Sequence, residues 1–204
     1  MKKIVSALLI FMLCVSLVAC GGKKNDTAST TDAPVVTTTP EVTDAPANGI
    51  TPDVDETTVG GQHWAAFVAE KTANPDITAE ELANKLVSLE INGFSGMATP
   101  MEAGSYLPGF DNFEATGFET CVNFMPMIGS IAYVGYIFEL DENADVAAFI
   151  KTLEDNCNPR WNICVSADQT VIGSIDHTVF FLMCPETYPT NDGMGDMGGM
   201  GLAE

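Results

Sequence analysis

Apolar and polar positions divide the chain into four stretches. Residues 4–18 are almost wholly apolar. Residues 25–58 carry no aromatic side chain and no Lys or Arg, and Thr, Asp, Ala, Pro and Val dominate them. Periodic patterns occupy 59–190, and residues 191–204 are rich in Gly and Met. Only the third stretch combines enough apolar surface with enough length to build a core.

Within it, residues 63–71 read as a short helix that stops before Asn74-Pro75. Thr78-Ala79-Glu80-Glu81 has the form of a capping box: the hydroxyl accepts from the third amide while Glu81 reaches back. Leu82, Leu86 and Leu89 follow at helical spacing, and Asn92-Gly93 closes that helix. Residues 94–116 are punctuated by Pro100, Gly104 and Pro108-Gly109 and read as turns. A strand is predicted over 117–124. A second, over 131–140, is nearly all β-branched, apolar or aromatic, as befits a strand buried on both faces. Asp141-Glu142-Asn143-Ala144-Asp145 leads into Val146, Phe149, Ile150 and Leu153, a second amphipathic pattern ending near 156–159. Residues 161–165, 170–172 and 178–183 read as three further strands, with Asp176-His177 at the last turn. Runs of strands between helices predict an α+β fold. Its small, mostly antiparallel sheet carries two or three helices on one face, after a disordered N-terminal tether.

The tether follows from composition. Pro34, Pro40, Pro46 and Pro52 recur every six residues, and Thr31-Asp32-Ala33-Pro34 repeats as Thr43-Asp44-Ala45-Pro46. Too little apolar surface is present to offset ordering entropy, so residues 20–58 are expected to be an unstructured stalk with polyproline character. The 191–204 segment is expected to be a flexible tail. Pro126, Gly129 and Glu139 cut the run around 131–140 below the length of a membrane span.

Charge narrows the partners. The chain holds 28 Asp+Glu against 8 Lys+Arg, a formal charge of −20. That balance argues against nucleic acid, whose phosphates are bound by clustered Lys and Arg. It is the ordinary balance of a solvated acidic surface, with cation binding (Ca²⁺ or Cu(I)) as the alternative reading.

The first stretch carries an address. Lys2-Lys3 precede the apolar run, which ends Leu17-Val18-Ala19-Cys20-Gly21-Gly22. This pattern resembles the lipobox signal peptide of bacterial lipoproteins. The resemblance implies cleavage after residue 19, lipidation of Cys20, and a mature chain held at the extracytoplasmic face of the cell membrane. Losing Lys2 and Lys3 takes the formal charge from −20 to −22. The implied partners are the membrane, through the anchor, and an envelope protein or small ligand. The block around Gly135-Tyr136-Ile137-Phe138-Glu139-Leu140, Arg160-Trp161-Asn162-Ile163-Cys164 and Val179-Phe180-Phe181-Leu182-Met183-Cys184 is similar to small C-terminal domains of uncharacterised Gram-positive cell-envelope lipoproteins. No catalytic motif travels with that likeness.

Candidate chemistry is sparse. With Cys14 removed and Cys20 lipidated, Cys121, Cys157, Cys164 and Cys184 remain. They allow three complete disulfide pairings or none, and an extracytoplasmic location permits either. There is no C-x-x-C, and His63 and His177 stand far apart, so zinc is not indicated. Asp141, Asn143 and Asp145 have the opening spacing of a calcium loop. Val146 stands where that loop needs Gly, and Thr152 where it needs Glu, so a polar turn capping a helix fits better. Residues 193–198 match G-x-G-x-x-G, but no helix and later acidic residue can follow before Glu204. Met194, Met197 and Met200 could offer soft ligands to Cu(I), although a Gly-rich tail explains their spacing as well. Asp176-His177 with Cys164 or Cys184 lacks any nucleophile signature. The expectation is a binding or interaction domain without cofactor or catalytic residues. Tyr106 and Phe110, in the Gly/Pro-rich stretch, are the candidate partner surface, and Trp161 is a core residue.

Overall fold

The computed structural model describes residues 48–188, apart from 112, 114 and 163. The expected signal peptide, Cys20, the expected tether up to residue 47 and the expected Gly/Met tail lie outside the described residues.

A six-stranded, wholly antiparallel sheet organises the domain. Its strands are β1 (Gly49–Ile50), β2 (Gly96–Pro100), β3 (Thr120–Pro126), β4 (Val134–Glu139), β5 (Gln169–Ile175) and β6 (Thr178–Cys184), in spatial order β1-β5-β6-β4-β3-β2. Three helices pack on it: α1 (Val59–Ala73), α2 (Ala79–Val87) and α3 (Val146–Asn156).

The central strands explain why both faces are covered. Along β6, Phe180, Leu182 and Cys184 enter one apolar cluster, while Val179, Phe181 and Met183 enter the other. Period-2 alternation sends successive side chains to opposite faces, and here both sets are apolar. On the first face Trp64, Phe67 and Val68 of α1 join Leu82, Leu86 and Val87 of α2 over Val122, Phe124, Ile137 and Phe180. On the second, Ile150 and Leu153 of α3 cover only part of the sheet, and Leu107, Phe110 and Ala115 of the 101–118 segment close the rest. Two helices therefore share one face and the third lies on the other.

Local chemistry sets the ends of these elements. Thr58 caps α1 by accepting from Gly61 N at 3.1 Å. The capping box of α2 forms: Thr78 Oγ1 accepts from Glu81 N at 3.2 Å, and Glu81 accepts from Thr78 N at 3.3 Å. Glu139, at the end of β4, adds a third acceptor by taking Ala79 N–H at 3.1 Å, so two carboxylates accept from amides at the positive end of α2. Gly93, at φ 61°, turns the chain after the short 3-10 turn Glu90–Asn92. In β4, Gly135 lies under its cross-strand partner Phe124, and a Cβ there would fall 2.2 Å from that ring.

Three sequence expectations are corrected. The described residues of 161–165 do not form a strand: Trp161 N–H donates to Asn158 O, Val165 N–H to Asn162 O and Ala167 N–H to Pro159 O, closing a looped turn. The turn-rich stretch contains strand β2, which Gly96 and Pro100 disguised. The tether does not run to residue 58, because Gly49 and Ile50 pair with Ile175 and Ser174 as an edge strand.

Candidate functional site

The 101–118 segment carries both aromatic residues singled out above, and it separates them. Phe110 is 1% exposed; its ring centroid lies 4.8 Å from that of Phe181 and 5.8 Å from that of Tyr136. This overturns its assignment to a partner surface: α3 leaves part of the sheet bare, and Phe110 fills the gap. Tyr106 is 65% exposed. Its platform is well fastened. Tyr136 Oη donates to Pro108 O at 2.7 Å, Asn158 N–H donates to Gly109 O at 2.8 Å, and Asn158 Nδ2 donates to both carboxylate oxygens of Asp111. The segment thus turns Phe110 inward as an anchor and holds Tyr106 outward on fixed backbone.

A polar network is buried on the opposite face. His63 in α1 is fully enclosed, and its Nδ1–H donates to Val59 O at 2.7 Å. That bond fixes the tautomer, so Nε2 accepts from Tyr133 Oη–H at 2.9 Å. Asn92 caps the end of α2 by donating to Leu86 O and Val87 O, while its own Oδ1 has no partner among the described residues. Burial lowers the His63 pKa from its ordinary value and raises the Tyr133 phenol well above its own. Both groups stay neutral and sealed from solvent, so the pair joins α1 to the sheet and has no access to a substrate.

The remaining titratable groups are scattered. The Asp176-His177 turn and Cys184 lie at opposite ends of β6, roughly 20 Å apart at the rise of a strand. They cannot act together. Asp141 accepts from Asn143 N at 2.8 Å and Nδ2 at 2.9 Å, which holds its carboxyl below the usual range, and Asp145 caps α3 through Ala148 N at 3.0 Å. The calcium-like spacing is used as a turn and a cap. Among the described residues, no three His, Cys, Asp or Glu side chains converge as a metal site. The four cysteines described are unpaired: Cys121 and Cys184 buried, Cys157 half-buried, Cys164 exposed.

The chain matches no family model, no curated protein and no solved structure.

Two open clefts flank the junction of α3 and β5. One, of about 340 Å³, is lined by Pro52, Asp53, Glu154, Cys157, Thr170 and Ile172. The other, of about 430 Å³, includes Ile50, Val146, Ser174, Asp176 and His177. A further surface escaped sequence reasoning. Met97 of β2 is 49% exposed, and Met127 and Ile128 at the β3–β4 turn are 68% and 73% exposed. Met127 N–H donates to Ser95 O at 3.1 Å, so the turn abuts the start of β2. Met125, Met127 and Ile128 lie close together in sequence, but only the register sets the distant Met97 opposite Met125.

Proposed function

We propose that the chain is a lipid-anchored extracytoplasmic lipoprotein whose α+β domain binds a partner rather than catalysing a reaction. The observation that carries this reading is Leu17-Val18-Ala19-Cys20 at the end of a short apolar run behind Lys2-Lys3. The domain architecture supports it. The first described residue, Asn48, stands 28 residues beyond Cys20, and such a segment can span at most about 100 Å. Tyr106, presented on a fastened loop, supports binding, because a rigid exposed aromatic loses little entropy on contact.

Mass spectrometry of the membrane-extracted protein tests the anchor. The expected N-terminal residue is Cys20 carrying diacylglycerol, and Cys20→Ala is expected to move the protein out of the membrane fraction. An unmodified Cys20, or unchanged fractionation of the variant, refutes the anchor. For the domain, Tyr106→Ala is expected to weaken capture of the envelope partner, while Phe110→Ala lowers stability by about 3–5 kcal/mol through cavity formation. Unchanged affinity in Tyr106→Ala removes that residue from the binding surface.

A further inference from the structure

Among the described residues, strand β2 (Gly96–Pro100) ends the sheet on its side and pairs with β3 alone. The register decides which peptide groups it leaves open. Met101 N–H donates to Cys121 O at 2.8 Å and Met127 N–H to Ser95 O at 3.1 Å. In an antiparallel ladder such pairs alternate, so residues 95, 97, 99 and 101 bond inward to β3. Gly96, Ala98 and Pro100 therefore turn their peptide groups outward. Pro100 fits there because an outward position needs no ladder N–H. The open edge offers the N–H of Gly96 and Ala98 and the C=O of all three residues, and no described residue covers it.

Open edges are usually blunted by charge, by proline, by a bulge or by a covering loop. Among the described residues, this one carries only Pro100, at one end. Neither residues 96–100 nor 127–130 contain a charged side chain; Met97 is exposed on the edge strand itself, and Met127 and Ile128 are exposed one strand in, at the turn that abuts the start of β2. The surroundings are strongly acidic: residues 48–188 hold 21 Asp or Glu against Lys71, Lys85, Lys151 and Arg160. Glu102, just past Pro100, and Glu119, just ahead of β3, are exposed near one end of the edge. A second copy of this chain would bring the same negative charge against itself. A segment bearing Lys or Arg would meet an attractive field.

We propose that the free edge of β2 captures an extended, apolar segment with basic flanks from another protein, adding it as a seventh strand. Main-chain bonds to Gly96 and Ala98 set its register. Met97, Met127 and Ile128 pack its side chains, with the thioethers adapting to different shapes. The basic flank at the Pro100 end faces Glu102 and Glu119, and the other lies in the general acidic field of the domain. This deepens the binding reading of the domain and rests on it, but it does not depend on the lipid anchor.

The test is backbone amide hydrogen exchange on the full-length chain in detergent micelles. The probe is a seven-residue peptide of alternating Val and Thr with Lys at both ends. With free peptide at ten times its Kd, the Gly96 and Ala98 amides should exchange about tenfold more slowly. Met97 and Thr99, already bonded to β3, should change little. A Glu-ended peptide should bind more weakly, and added salt should narrow that difference. A peptide N-methylated at alternate amides should give no protection. Ala98→Pro should abolish protection of Gly96, and the N-methylated peptide makes the same point without altering the protein. Unchanged exchange at millimolar Lys-ended peptide overturns the proposal, as does equal protection by the N-methylated form. Protection that rises with protein concentration alone also overturns it, in favour of a second copy. If an envelope partner is captured while Gly96 and Ala98 exchange as before, the edge is excluded and the binding reading stands.

Discussion

Replacing Tyr133 by Phe removes one oxygen from the buried network and little else. The ring keeps its contacts, with centroids 5.5 Å from His63, 5.0 Å from Phe94 and 6.1 Å from Phe124. What goes is the 2.9 Å bond to His63 Nε2. His63 Nδ1–H is already committed to Val59 O, so the ring cannot swap tautomers without breaking that bond as well. The result is a fully buried acceptor with no donor, which costs about 1–3 kcal/mol. For a domain of this size that corresponds to a fall in Tm of about 3–5 °C per kcal/mol. Urea denaturation at pH 8, where His63 is neutral in both states, measures the loss without a proton contribution. A double-mutant cycle with His63→Met isolates the pair: Tyr133→Phe should cost less than about 0.5 kcal/mol once the imidazole is gone. A neutral Tyr133→Phe, or an equal cost in both backgrounds, would refute the assigned hydrogen bond.

Further predictions concern pH, packing and thiols. The folded pKa of His63 lies below its ordinary value, so between that lowered pKa and about 6.5 the unfolded chain binds the proton and the folded chain does not. Stability should therefore fall as pH drops below about 6.5, by up to about 1.4 kcal/mol per pH unit, and level off below the folded pKa. His63→Gln should flatten the profile in that window, and an unchanged slope in the variant would contradict the assignment. Gly135→Ala should cost about 1–3 kcal/mol in urea denaturation, because its Cβ would sit 2.2 Å from Phe124 Cζ. Combining it with Phe124→Leu should recover part of the loss, and additive costs would show that the ring is not the obstacle. Thiol titration of the native protein should find Cys164 and Cys157 reactive. Cys121 and Cys184, whose thiols burial pushes up to about 12, should react only after unfolding. Fewer than four titratable thiols among these positions in denaturant without reductant would mean that a bridge is present.

Much of the architecture was legible because the strongest periodic signals belong to the most buried elements. β4, β6 and α3 announce themselves through runs such as Tyr136-Ile137-Phe138 and Val179-Phe180-Phe181, and the α2 capping box is a local motif. The edges were not legible. β2 reads Gly-Met-Ala-Thr-Pro, with low strand propensity and a proline that only an outward position tolerates. β1 is two residues long and sits in proline-rich composition. The stretch 161–165 misled in the other direction: Trp161 and Val165 pack against the second cluster from a loop, without a ladder. Phe110 was misplaced because a Gly/Pro-rich stretch suggests a surface. A signal was nonetheless present. Strands apolar on both faces need two covers, and after α1, α2 and α3 are assigned, Leu107, Phe110 and Ala115 are among the apolar residues left to complete the second. The open edge of β2 emerges only from pairing order, which local propensity does not encode.

The placement of β1 has a mechanical consequence. A pull on the chain from ahead of Asn48 meets this two-residue strand first, held by Asp176 N–H to Asn48 O at 2.7 Å and Ile50 N–H to Ser174 Oγ at 3.1 Å. Those few bonds can peel away one after another. The load reaches Val54, packed against the first apolar cluster, only after residues 48–53 have straightened to a contour of roughly 20 Å. Under tension the strand acts as a fuse, and a single-molecule force trace should record its release as a small, low-force step before the main rupture.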